Sequence, residues 1–143
     1  MRVPPLKHED LEELLRQPLV AKIATTSRRG DVRMSPVWFG TQDGMFVFST
    51  FEDSGLAKNL KRNSKCSLLI DSTQPPYIGV HYWGTATVGG PENDAAGIAS
   101  LFARYIDDPA RATEYARELI GWGKRVYVRF RPERSITWDF RQG

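Results

Sequence analysis

Apolar and polar positions along this chain alternate between a helical and an extended period. Leu11, Leu14 and Leu15, with Leu6 just before them, form one stripe and predict a helix from Lys7 to Arg16. Pro18 ends it. Leu19 to Thr26 is rich in β-branched residues and reads as a strand, followed by a turn at Arg28-Arg29-Gly30-Asp31. Val32 to Phe39 and Met45 to Thr50 predict two more strands, joined by the hairpin signal Asp43-Gly44. Ser54 to Arg62 predicts a short helix capped by Asp53 or Ser54, with Leu56 and Leu60 on one face and Asn63 closing it. Cys66 to Ile70 reads as a compact buried strand. Gln74-Pro75-Pro76 breaks the chain before a long strand from Tyr77 to Val88, which Gly89-Gly90-Pro91 ends.

The last third turns helical. Ile98, Leu101, Phe102 and Tyr105 recur at i, i+3, i+4 and i+7 and predict a helix from Asp94 to Tyr105. A second helix is predicted from Asp108-Pro109, with proline at its first position, to Ile120, where Gly121-Trp122-Gly123 stops it. Val126 to Phe130 alternates as a strand. Pro132 is expected to interrupt it, and Ser135 to Phe140 reads as the final strand. The tally is about seven strands and four helices, with short links between the early strands. That pattern favours a mainly β (α+β) fold: an antiparallel sheet of six or seven strands closed into a barrel, with short peripheral helices.

Composition narrows the class. With 143 residues, 41% hydrophobic and 26% charged, the chain suits a single globular domain spanning 1–143. No run nears the roughly 18 apolar residues of a membrane span. The N-terminus shows no apolar h-region, so a cytoplasmic protein without a secretory signal is the expectation. The single Cys66 excludes an internal disulfide and a multi-cysteine metal site. Net charge is only +3, too mild for a dedicated nucleic-acid binder, though phosphate-bearing small molecules remain candidates. Four Trp, five Tyr and seven Phe point to a large core or a stacking site.

Familiar catalytic signatures are missing: no phosphate loop, no dinucleotide fingerprint, no nucleophile elbow. His8 and His81 show no metal-ligand spacing, so no metal site is expected. His8 reads as a solvated helix residue, His81 as a structural strand residue and Cys66 as a core thiol. The informative stretch is 33–71. Thr50 ends a strand, Ser54 opens a helix, Lys58 and Asn59 follow one turn in, and Arg33 lies on the preceding strand. A helix N-terminus with hydroxyls and cations nearby suits a phosphate. The same pattern is also that of an N-capped surface helix with a solvated lysine.

Residues 33–71 resemble the flavin-binding region of the pyridoxamine 5′-phosphate oxidase-like split-barrel family. The resemblance rests on Arg33, Asp43-Gly44, Phe48-Ser49-Thr50, Ser54, Asn59-Leu60 and Ser67-Leu68-Leu69-Ile70. Ala21 to Thr25, Tyr77 to Val80 with Trp83-Gly84-Thr85-Ala86, and Lys124 through Asp139 extend it over most of 19–140. One position departs: the family has lysine two residues after the serine, and this chain has Leu56. Lys58 is the nearest substitute, but two residues turn a helix by about 200°.

The resemblance implies FMN, or the deazaflavin coenzyme F-420, bound in a cleft between the subunits of a homodimer. It implies a cytoplasmic oxidoreductase that transfers a hydride to or from a small molecule, with no nucleic acid or membrane partner. The phosphate would lie near Arg33, Ser49, Thr50, Ser54, Lys58 and Asn59. The backbone of Ser35, Pro36, Val37 and Trp38 would run under the ring, and Trp83 and Trp138 would come from the partner. Pro36 offers no N–H, which suits a strand edge that a ligand approaches. No side chain stands out as a catalytic acid or base. Two other readings stand beside this one: a non-catalytic cofactor- or haem-binding split barrel, and an oligonucleotide-binding small barrel using Arg28-Arg29, Lys61-Arg62, Arg129 and Arg131.

Overall fold

A computed structural model describes residues 2–89 and 95–141. The elements, in chain order, are α1 (His8–Arg16), β1 (Val20–Thr26), β2 (Val32–Trp38), β3 (Gly40–Gln42), β4 (Met45–Phe51), α2 (Gly55–Arg62), β5 (Lys65–Asp71), β6 (Ile78–Gly89), α3 (Ala95–Phe102), α4 (Pro109–Trp122) and β7 (Arg125–Asp139). Every strand pairing is antiparallel, in the order β2-β1-β5-β6-β7-β4-β3. The sheet curls until β2 approaches β4 without pairing to it. The result is a mainly β, α+β half-barrel with a split between those two strands.

Local chemistry explains the tight turns. Asp43 and Gly44 both take positive φ, 53° and 76°, as a two-residue hairpin turn requires. The short β3 pairs back on β4 through that turn, an element the sequence pattern does not predict. The expected break at Pro132 does not occur, and β7 runs unbroken from Arg125 to Asp139. Its register against β6 shifts between Trp83 and Gly84, so that Gly84 faces Pro132 and Trp83 faces Arg134. A bulge of this kind accommodates the proline, which has no N–H for the ladder.

Phe39, Phe48, Phe130, Ile23, Leu68 and Ile70 fill the barrel, and Leu14 of α1 with Leu56 and Leu60 of α2 close it. A second cluster packs α3 and α4 against the outside, through Ile98, Phe102, Ala116 and Leu119 against Tyr127, Trp38 and Phe51. The helix expected over 94–105 ends at Phe102, while Asp94, like Gly90 and Pro91, lies outside the described residues. Tyr105 leaves the helical path to tie the ends of two strands. Its hydroxyl donates to the Leu19 carbonyl at 2.8 Å and accepts from the Phe39 N–H at 2.9 Å. Its ring stacks on Trp38, 4.6 Å between centroids. The next helix starts as read, with the Asp108 side chain accepting from the Ala110 N–H ahead of Pro109. No helix among the described residues is long and apolar enough to cross a membrane.

Candidate functional site

The split has two free strand edges. β2 pairs only with β1, and β4 beyond Val47 pairs only with β7. Alternate backbone N–H and C=O groups on each edge therefore face the gap between them. A cavity of about 590 Å³ occupies this gap. Arg33 to Trp38 form one wall, Ser49 and Thr50 the other, and the capping Ser54 with Leu56 of α2 one end. Phe102, Tyr115 and Leu119 of the outer helices roof it, and Arg125 enters from the start of β7.

The α2 end is chemically specific. The Ser54 oxygen accepts from the Ala57 N–H at 3.0 Å, capping the helix, and from the Thr50 hydroxyl at 3.0 Å. Both lone pairs are then used, so the Ser54 proton is left to donate outward. The Arg33 guanidinium lies across Gly55, the first residue of α2. A charge, a free hydroxyl proton and a helix N-terminus thus border one end of the cavity, an arrangement suited to an anion.

Eight of the residues singled out in the sequence line this cavity: Arg33, Ser35, Pro36, Val37, Trp38, Ser49, Thr50 and Ser54. Four do not. Lys58 is exposed and borders two other depressions, one with Glu52, Asp53, Lys61 and Lys124 and one with Arg28, Gly55, Asn59 and Arg62. Asn59 is buried and structural: it donates to the Thr25 hydroxyl at 3.1 Å and accepts from Arg62 at 2.9 Å, holding α2 on β1. Trp83 packs at a tilt against His81, 3.9 Å between centroids, beneath the Arg134 guanidinium. Trp138 lies across Gly79 on β6. Burial and Arg134 hold His81 below the usual histidine range. Trp38 lines the cavity, but its ring is engaged with Phe102 and Tyr105.

Sequence reasoning missed Arg125 and the helical roof. Arg125 is only 7% exposed, and its Nε donates to the Ser49 hydroxyl at 3.0 Å. Burial lowers its pKa from the ordinary arginine value. The one available signal was a charged residue directly abutting the apolar alternation of 126–130. Among the described residues no group of His, Cys, Asp and Glu is placed to hold a metal.

A profile of pyridoxamine 5′-phosphate oxidases matches residues 8–139. The chain belongs to the pyridoxamine 5′-phosphate oxidase family. Proteins of known structure share its fold. A conserved hypothetical protein from Mycobacterium tuberculosis superposes with a TM-score of 0.79 at 20% identity, covering 97% of this chain and 88% of its own. An F420 reductase superposes at 0.69 and 21% identity, covering 87% and 94%. HutZ, the heme storage protein from Vibrio cholerae, superposes at 0.69 and 15% identity, covering 96% of both chains. No curated relative matches the chain in sequence.

Proposed function

We propose that this chain binds a phosphate-bearing flavin-type cofactor in the split and is an oxidoreductase acting on a small molecule. FMN is the first candidate and the deazaflavin F-420 the second. The observation that carries the reading is the α2 end of the cavity, where Arg33, the outward Ser54 proton and the helix N-terminus converge. When bound, such a cofactor supplies hydride chemistry at its ring. The chain's own residues supply the rest. Arg33 and Ser54 bind the phosphate, with Thr50 orienting the Ser54 hydroxyl through its hydrogen bond. The free edges of β2 and β4 offer backbone groups to the ring's polar rim. Pro36, on the β2 edge, removes one N–H and lets a flat ring lie close.

A homodimer belongs to the same proposal. Val32 and Met34 of β2 and Ile136 of β7 are 70%, 65% and 55% exposed, a large apolar exposure for a small domain. Register places Met34, Ala24 and Ser67 in one row across the sheet and Leu69, His81 and Ile136 in another. Met34 also lines the cavity, so a second copy seated on this face would wall the ligand site. Trp83 and Trp138 would then face the partner's cavity and not their own.

Titration of the purified protein with FMN, F-420 and haemin, followed by absorbance and fluorescence, tests the reading. Saturable FMN or F-420 binding that Arg33→Ala weakens supports it, and turnover of the reduced cofactor establishes the enzyme. Haemin binding alone would favour the storage role that HutZ is named for. Sedimentation should show a species of twice the 16.2 kDa chain mass. A monomer throughout the micromolar range would overturn the dimer.

A further inference from the structure

His81 stands within the face of the sheet that a second copy would cover. It points away from the barrel: its strand neighbours Val80 and Tyr82 are buried in the core, while His81 itself is only half-buried. Register sets it between Leu69 of β5 and Ile136 of β7, and Ile136 is among the most exposed apolar residues of the chain. Trp83 follows it on the same face of β6, and the two rings meet 3.9 Å apart between centroids. Trp138 lies across Gly79 on its other side. Two aliphatic and two aromatic side chains thus frame one imidazole.

The charged groups on this face favour the neutral ring. Arg134 of β7 lies over Trp83, its guanidinium carbon 4.4 Å from the ring centroid, so that ring already faces a cation. Asp71 of β5, level with Gly79, is bound to Lys22 of β1 at 2.8 Å. Glu133 of β7 falls at the register shift beyond Trp83, and Lys65 and Arg131 stand level with Thr85, four residues along β6. Burial and Arg134 already hold the His81 imidazole below the usual histidine range. A second copy seated on this face would strip its remaining water and make a charge there costlier still.

We propose that His81 makes assembly of the homodimer pH-sensitive: two chains pair with His81 neutral and separate when it takes up a proton. The inference rests on the homodimer proposed above. Its sign follows from linkage. The dimer holds fewer protons than two separate chains, so pairing is strongest at alkaline pH and weakens as pH falls through the titration of His81 in the single chain. Met34 lies on the same face and lines the cavity, so acid would also remove a wall of the ligand site.

Sedimentation of the full-length protein between pH 8 and pH 5 tests this, with circular dichroism at each pH. The dimer dissociation constant should rise by about tenfold or more on acidification while the fold persists. His81→Gln and His81→Phe, neutral throughout, should dimerise alike at both ends of the range. His81→Arg, charged throughout, should pair weakly even at pH 8. The other histidine, His8, is exposed on α1 beside Glu12, and His8→Gln should leave the parent's response unchanged. The inference is overturned if the parent dimer is equally strong at both ends, if either neutral His81 variant keeps the parent's response, or if the chain unfolds by pH 5. A single chain at every pH would overturn the homodimer itself, and this inference with it.

Discussion

The Arg33 guanidinium lies against Gly55, its nearest nitrogen 2.6 Å from where a Cβ on that glycine would stand. The bare first residue of α2 thus makes room for the charge that faces the cavity. Gly55→Ala would push the flexible end of Arg33 away while slightly favouring the helix. We expect folding stability unchanged or raised by up to about 1 kcal/mol. Affinity for FMN, measured by fluorescence quenching, should fall. Unchanged affinity would show that Arg33 reaches its ligand from another position.

Arg33 and Lys58 should separate cleanly. Sequence spacing makes both of them candidates for the phosphate anchor, but Arg33 lines the cavity and Lys58 borders two other depressions. A charge-assisted hydrogen bond contributes about 1.5–3 kcal/mol. Arg33→Ala should therefore weaken FMN binding by roughly 10- to 100-fold. Lys58→Ala should leave it within about twofold. Equal losses in the two variants would mean that the ligand extends from the cavity to Lys58.

Leu56 occupies the position where the family carries lysine, and it is 4% exposed, packed with Leu60 and Phe48 while touching the cavity. Leu56→Lys would place its stem in that packing and its ammonium at the cavity. FMN affinity should be unchanged or higher, and the melting temperature lower, because a core leucine is lost. A fall in affinity would place the phosphate away from α2.

Burial pushes the Cys66 thiol up to about 12. Only the thiolate reacts, so alkylation of the native protein at pH 8 should be on the order of a thousandfold slower than for an exposed cysteine. Unfolding should restore the ordinary rate. The sign of the pH effect follows from the raised value. The stabilisation is fully present below the ordinary pKa of 9.0 and is lost as pH rises from there towards about 12. Denaturant midpoints measured across that range should fall, and should fall less in Cys66→Ala. Rapid native labelling would contradict the burial.

What the sequence disclosed, it disclosed through local chemistry. Asp43-Gly44 could only be a tight turn, and Ser54 capped the helix that it preceded. Those two signals placed β4 and α2, and hence one wall and one end of the cavity. Lys58 does not line that cavity, because proximity in sequence is not proximity on a helix. Two residues beyond the buried Leu56 it turns to solvent. Arg125 could not be found locally, because its burial comes from α4 folding back over β7 and β4. Pro132 signalled a strand end on its own, and only the opposing strand reveals why it is tolerated.

That opposing residue is Gly84, and it carries the most demanding steric requirement in the sheet. A Cβ there would stand 2.0 Å from the Arg131 carbonyl oxygen and 3.1 Å from the Phe130 ring. The first of these is backbone and cannot swing aside as a side chain could. Gly84 also sits at the register shift that lets β7 pass through Pro132 without breaking. Gly84→Ala must therefore push β6 and β7 apart at their bulge, where Phe130 packs into the core. Overpacking typically costs about 1–3 kcal/mol, and a backbone clash belongs at or beyond its upper end. For a domain of this length the melting temperature should drop by about 10 °C. By contrast, a Cβ on Gly89 of the same strand would meet nothing within 4 Å, so Gly89→Ala should melt close to the parent. Thermal denaturation of the pair decides the point: equal melting temperatures would mean that β6 and β7 do not approach this closely at Gly84.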